Sequence, residues 1–219
     1  MPNYARKYQL SGSLVYHIFN RSNSRAQIFF EDKDYYYFIG LLKDYSKRFS
    51  LKIYHWVIMP NHYHLLLELE EPEKISKALA GINLCYTRYH HNLYKSVGFL
   101  WQGRFKSQPV QKESYLLACS RYIERNPVRS RLVREAKDYL YSSARFYCLG
   151  EYDSLTLEDP LVSEFGSSQE KRTKNYNKFL FSSDPKQEAI FRDMDTPCVE
   201  PGFMRRSEEH TSELQSHHP

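Results

Sequence analysis

With 219 residues, 41% of them hydrophobic, the chain has room for one sizeable globular domain with its own core and a small appendage. No apolar run approaches the ~20 residues that cross a bilayer, and residues 1–7 are polar rather than signal-like, so the reading is a cytoplasmic protein without a membrane partner. The net charge of +5 is unevenly held: residues 1–150 carry 23 Lys+Arg against 12 Asp+Glu, a net of +11, whereas residues 151–219 carry 8 against 14, a net of −6.

Residues 13–19, rich in β-branched and aromatic side chains, predict a first strand that ends in the polar turn of residues 20–23. From Glu31 to Arg48, Tyr35, Phe38, Ile39, Leu42 and Tyr45 recur at three- and four-residue steps, the stripe of an amphipathic helix. Residues 50–58 predict a second strand, Pro60 and Asn61 interrupt it, and residues 62–69 form a third, close enough in sequence to pair with the second as an antiparallel neighbour. Glu70, Glu71, Pro72 and Glu73 mark a helix start, and Ile75, Leu79, Ile82 and Tyr86 carry its apolar face toward Tyr94. After a loop at 98–103, residues 104–110 predict a fourth strand and Glu113 opens a third helix. The order β-α-β-β-α-β followed by a helix is that of an α+β, ferredoxin-like antiparallel sheet.

Several stretches carry chemistry. His62 and His64 are two apart at the start of the third strand, so their imidazoles share one face, which is half of a metal site. Two hydrogen-bonded histidines on a half-buried strand are the plainer alternative. On the third helix Tyr122 and Asn126 are four apart and offer a phenol and an amide on one face, although Asn126 before Pro127 also suits a helix end. Basic and aromatic residues interleave at 86–91 and 101–106, a mixture suited to phosphates and unpaired bases and hence to single-stranded nucleic acid. The cysteines Cys85, Cys119, Cys148 and Cys198 form no C-x-x-C pair and read as reduced thiols.

Taken together, His62-Tyr63-His64 after Met59-Pro60-Asn61, the block at 16–21, Trp101-Gln102-Gly103-Arg104-Phe105 and the block at 121–129 resemble the HUH transposases with a single catalytic tyrosine, most closely the REP-associated tyrosine transposases. The resemblance spans residues 13 to about 149 and implies the same ferredoxin-like sheet. It implies that His62, His64 and Asn126 bind a divalent metal, Mg²⁺ or Mn²⁺, and that Tyr122 is the nucleophile. The implied activity is a metal-dependent DNA transposase or endonuclease that cleaves and rejoins single-stranded or hairpin DNA through a 5'-phosphotyrosine. Mg²⁺ prefers oxygen ligands, whereas Mn²⁺ accepts the mixed set. Arg121 and Arg125 are candidates to activate the phenol; His55 is a possible base by residue type alone, and His17 reads as structural.

Arg21, Arg25, Arg88, Arg104, Lys106, Arg129 and Arg131 lie in or beside the matching blocks as candidate DNA contacts. Trp101 is a candidate for stacking on a base, while Phe105 reads as core. The same scaffold could serve as an HUH endonuclease with a housekeeping or replication role, or as an inactive DNA-binding repressor, although pure binding needs none of the four site residues. Assembly is expected as a monomer or a homodimer.

Residues 1–150 thus read as the catalytic domain and 151–181 as a linker with a short helix. Residues 182–219 are expected to be disordered, and 206–217 resemble a translated sequencing adapter, which would leave the natural C-terminus missing.

Overall fold

The computed structural model describes residues 15–69, 71–110 and 115–182, so the expectation for 183–219 lies outside the described residues. Strands β1 (Val15–Arg21), β2 (Leu51–Met59), β3 (His62–Leu69) and β4 (Lys106–Val110) form one antiparallel sheet in the order β2-β3-β1-β4. With α1 (Asp32–Phe49) between β1 and β2, and α2 (Pro72–Tyr94) between β3 and β4, this is the ferredoxin-like arrangement. β1 runs two residues beyond the predicted end, because Asn20 and Arg21 still pair with Tyr63 and His62. β4 starts two residues later than predicted. Among the described residues it pairs only with β1, an edge position that tolerates Pro109.

Local chemistry sets the boundaries. The amides of Phe30 and Glu31 donate to Asp34 Oδ2, a capping box that starts α1, and Ser50 ends it in the left-handed region at φ 51°. Pro60 and Asn61 make the β2–β3 turn, which β1 and the segment after it clasp: Ser22 N donates to Asn61 O, and Ile28 N to Pro60 O. One face of the sheet packs on α1 and α2, where Tyr63, Phe38, Tyr86 and Trp101 form an aromatic cluster.

The other face carries α3 (Leu116–Glu124), which lies across β2 and β3. The third helix, expected to end at Asn126 before Pro127, ends at Glu124. Arg125, at φ −84° and ψ −1°, breaks it, and α4 (Asn126–Arg129) begins with Pro127 in its first turn, where a missing N–H costs least.

Residues 151–181, expected as a linker with a short helix, include that helix at Gln169–Phe181. α5 (Ala144–Leu149) and α6 (Gln169–Phe181) enclose a second small core in which Tyr147, Val162, Tyr176 and Leu180 are buried. No helix among the described residues is long and apolar enough to cross a membrane.

Candidate active site

His62 and His64 open β3 on the face covered by α3, while Tyr63 between them points to the α1–α2 side, as strand alternation requires. Each imidazole has its Nδ1 committed to a neighbour. Asn61 Nδ2 donates to the carbonyl of Arg25 at 2.8 Å, which turns Asn61 Oδ1 toward His62 Nδ1 at 2.6 Å. An amide oxygen only accepts, so His62 Nδ1 carries the proton and Nε2 of the neutral ring keeps its lone pair.

His64 is fully buried, and its Nδ1 lies 2.8 Å from Nε2 of His17 on the neighbouring strand. His64 Nε2 is buried with no hydrogen-bond partner among the described residues. With the shared proton on His64 Nδ1, His17 orients the ring and Nε2 is again left as a bare lone pair.

Burial pushes His62 down to about 4, helped by the positive charge of Arg21 and opposed by a hydrogen bond with Asn126. His64 is held well below the usual histidine value, by burial first and then by the neighbouring imidazoles. Both rings are therefore neutral at pH 7, the state in which imidazole binds metal.

Across from the pair stands Tyr122, only 5% exposed, with its ring centroid 5.8 Å from that of His64 and 6.1 Å from that of His17. The Arg129 guanidinium lies over the Tyr122 ring at 3.9 Å, a close cation–π contact. Asn126, despite the break before it, remains beside His62. Two imidazole lone pairs, one of them a buried orphan, with an amide oxygen alongside fit a divalent ion that keeps open positions. Among the described residues no group of three or more His, Cys, Asp or Glu is gathered as a metal site.

Sequence reasoning passed over the device that holds α3. Glu124, buried two residues after Tyr122, accepts from Ser143 Oγ at 2.6 Å and Tyr176 Oη at 3.0 Å, and lies 2.9 Å from His55 Nδ1. Asp159 takes the other ring nitrogen of His55 at 3.1 Å. Its only sequence signal is an acidic residue on an otherwise apolar helical face.

Both nitrogens of His55 are thus committed to carboxylates, and it is not placed as a base for Tyr122. Burial pulls His55 down, but Glu124 and Asp159 together outweigh it and raise the ring to about 9. A folded-state value above the unfolded 6.5 stabilises the fold fully below pH 6.5, and this contribution is lost as pH rises through about 9. It amounts to roughly 3 kcal/mol. Denaturant titrations between pH 6.5 and 9.5 are therefore expected to show the stability gap between wild type and His55→Gln closing as pH rises. A gap independent of pH would show that the ring is not charged.

The expected activators of Tyr122 sit elsewhere. Arg125 Nη1 donates to the carbonyls of Leu180 and Phe181, and Arg121 reaches Ser182 O and covers the Phe179 ring, so both fasten α6 to α3. The cation on the tyrosine is Arg129, expected only as a DNA contact.

Among the other candidate DNA contacts, Arg21 pairs in register with His62, and Arg25 lines a shallow pocket of about 320 Å³ with Asn61, His62 and Ser130. Arg104, Lys106 and Arg131 are exposed, with Lys106 at the start of β4. Arg88 lines a groove on the outer α1–α2 layer with Tyr37 and Tyr89, on the far side of the sheet from Tyr122. Trp101 is partly buried: its Nε1 donates to Asn83 O at 3.2 Å and its ring packs among Tyr63, Tyr86 and Phe38. Phe105 is buried in the core, as expected.

Residues 11–126 match the family of IS200-like transposases. A solved structure of a REP-associated tyrosine transposase bound to a REP hairpin is similar in fold, with a TM-score of 0.55 and 22% sequence identity over 73% of this chain and 93% of that one. No curated protein matches the chain.

Proposed function

The chain belongs to the IS200-like transposase family, and from that premise we propose that it cleaves and rejoins single-stranded or hairpin DNA through a covalent 5'-phosphotyrosine on Tyr122. The observation that carries the reading is the convergence, within one chain, of Tyr122 and two neutral imidazoles, one with a buried unpartnered nitrogen. His62, His64 and Asn126 would hold a divalent metal, Mg²⁺ or Mn²⁺. Bound there, the ion supplies Lewis-acid polarisation of the scissile phosphate.

The protein's own groups do the rest. His17 and Asn61 fix the two rings, each by one nitrogen. The Tyr122 oxygen attacks phosphorus and forms the P–O(tyrosine) bond as the P–O3' bond breaks, and the phenolic proton ends on the released 3'-hydroxyl. Arg129 against the ring favours negative charge on the attacking oxygen, and Arg21 beside His62 faces the same charge on the phosphate. Because the ester energy is kept in the phosphotyrosine, another 3'-hydroxyl can attack it and rejoin the strand. Hydrolysis would discard that energy.

The test is incubation of the full chain with 3'-labelled hairpin oligonucleotides and Mn²⁺, followed by denaturing electrophoresis. A labelled protein band is expected, EDTA should remove it, and added Mn²⁺ should restore it. His62→Ala and His64→Ala should each lower adduct yield 10- to 100-fold or more at limiting Mn²⁺, the scale on which metal-site perturbations act. DNA binding with no adduct from any hairpin or flank would instead favour a repressor.

A further inference from the structure

We propose that Phe99, supported by Val97, is a platform on which an unpaired nucleobase of the bound DNA strand stacks, an inference that rests on the DNA-processing function above. Phe99 is 88% exposed and Val97 93% exposed, so neither side chain contributes to the core. A single exposed apolar residue needs no explanation, but two within three residues on a firmly held loop do.

The backbone that carries them is pinned on both sides. Upstream, Ser96 Oγ is bonded to the imidazoles of His90 and His91, and His91 Nε2 lies 3.1 Å from Gly98 O. Downstream, Leu100 O accepts from Asn23 N, Gln102 N donates to Arg21 O, and Trp101 bridges to Ser22. Gly98, at φ +90°, makes the turn that only glycine takes without strain, and Phe99 follows it. A hydrogen-bonded loop therefore presents a solvated ring.

Position supplies the ligand class. The loop is stitched to residues 21–23, and Arg21 is the register partner of His62, so Phe99 stands on the chain segment adjoining the candidate metal end of β3. Arg25 and Arg104, both exposed on the segments stitched together here, provide the cations that a phosphate backbone needs. An aromatic face beside such a backbone track is the arrangement that binds single strands without reading sequence. Trp101, the aromatic that composition suggested for this role, is partly buried and packs against the core, whereas Phe99 is the solvated ring of the loop.

The test uses the full chain and two DNA probes, a GC-rich hairpin with mixed-sequence single-stranded flanks and the same hairpin with blunt ends. Base stacking at ~1–3 kcal/mol corresponds to a loss of about 5- to 150-fold on truncation. Phe99→Ala is expected to weaken the flanked hairpin by about tenfold and leave the blunt one unchanged, while Phe99→Tyr restores wild-type affinity. With 2-aminopurine walked along the flanks, one position should be quenched by the wild type and by Phe99→Tyr but not by Phe99→Ala. Equal affinities and equal quenching in wild type and Phe99→Ala, or equal weakening of both hairpins, would overturn the stacking role alone. Failure of the wild type to bind either probe would overturn the proposed function and this inference with it.

Discussion

A Tyr122→Phe protein is expected to bind hairpin DNA as the wild type does and to form no covalent adduct, a loss of at least about 10³-fold. The substitution suits the question because the contacts Tyr122 makes with His64, His17 and Arg129 are made by its ring. Tyr122 is 5% exposed, its ring meets His64 and His17 edge-on, and the Arg129 guanidinium lies on its face at 3.9 Å. Phenylalanine retains all three contacts and removes only the attacking atom. Stability should therefore change by about 1 kcal/mol, the scale of one hydroxyl interaction. Denaturing electrophoresis reads the adduct and fluorescence anisotropy reads binding. The chain has 19 tyrosines, so an adduct that survives in Tyr122→Phe would assign the nucleophile to another of them.

The second large effect is on folding. Glu124→Ala is expected to destabilise the protein by about 3–5 kcal/mol, the cost of removing one partner from a buried ionic group. Glu124 accepts from Ser143 and Tyr176 and faces His55, itself shared with Asp159, so truncation strands two hydroxyls and leaves a buried imidazolium with one carboxylate. For a chain of this size the melting temperature should fall by roughly 10 °C. Glu124→Gln keeps the shape and, with its amide oxygen in the place of Oε1, the acceptor for Ser143 and His55 while losing the acceptor for Tyr176, and should cost roughly half as much. Because Glu124 ties α3 to β2 and α6 two residues from Tyr122, adduct formation should fall with it even at temperatures where the variant stays folded. A loss below about 1 kcal/mol in Glu124→Ala would show that α3 is held by apolar packing alone.

These two residues, Tyr122 and Glu124, divide what the sequence determined from what it did not. The alternation that sets His62 and His64 on one face, the helical stripe from Tyr35 to Tyr45 and the order of strands and helices are properties of the local backbone, and they were legible as repeats of two and of three to four residues. The four-residue step from Tyr122 to Asn126 also pointed both groups at one site, although Arg125 and Pro127 break the helix between the predicted limits.

Partners brought in from a distance left no such repeat. His17 reaches His64 across 47 residues, His55 reaches Glu124 across 69 and Asp159 across 104, and α6 closes on α3 from a segment whose polar composition reads as a linker. Strand register decided the first of these, and packing of the second small core decided the others. The same limit exchanged Trp101 for Phe99: an aromatic residue in a basic loop looks identical in sequence whether it fills the core or faces water. Only the tertiary structure, by packing one partly buried against Tyr63 and leaving the other 88% exposed, separates the two.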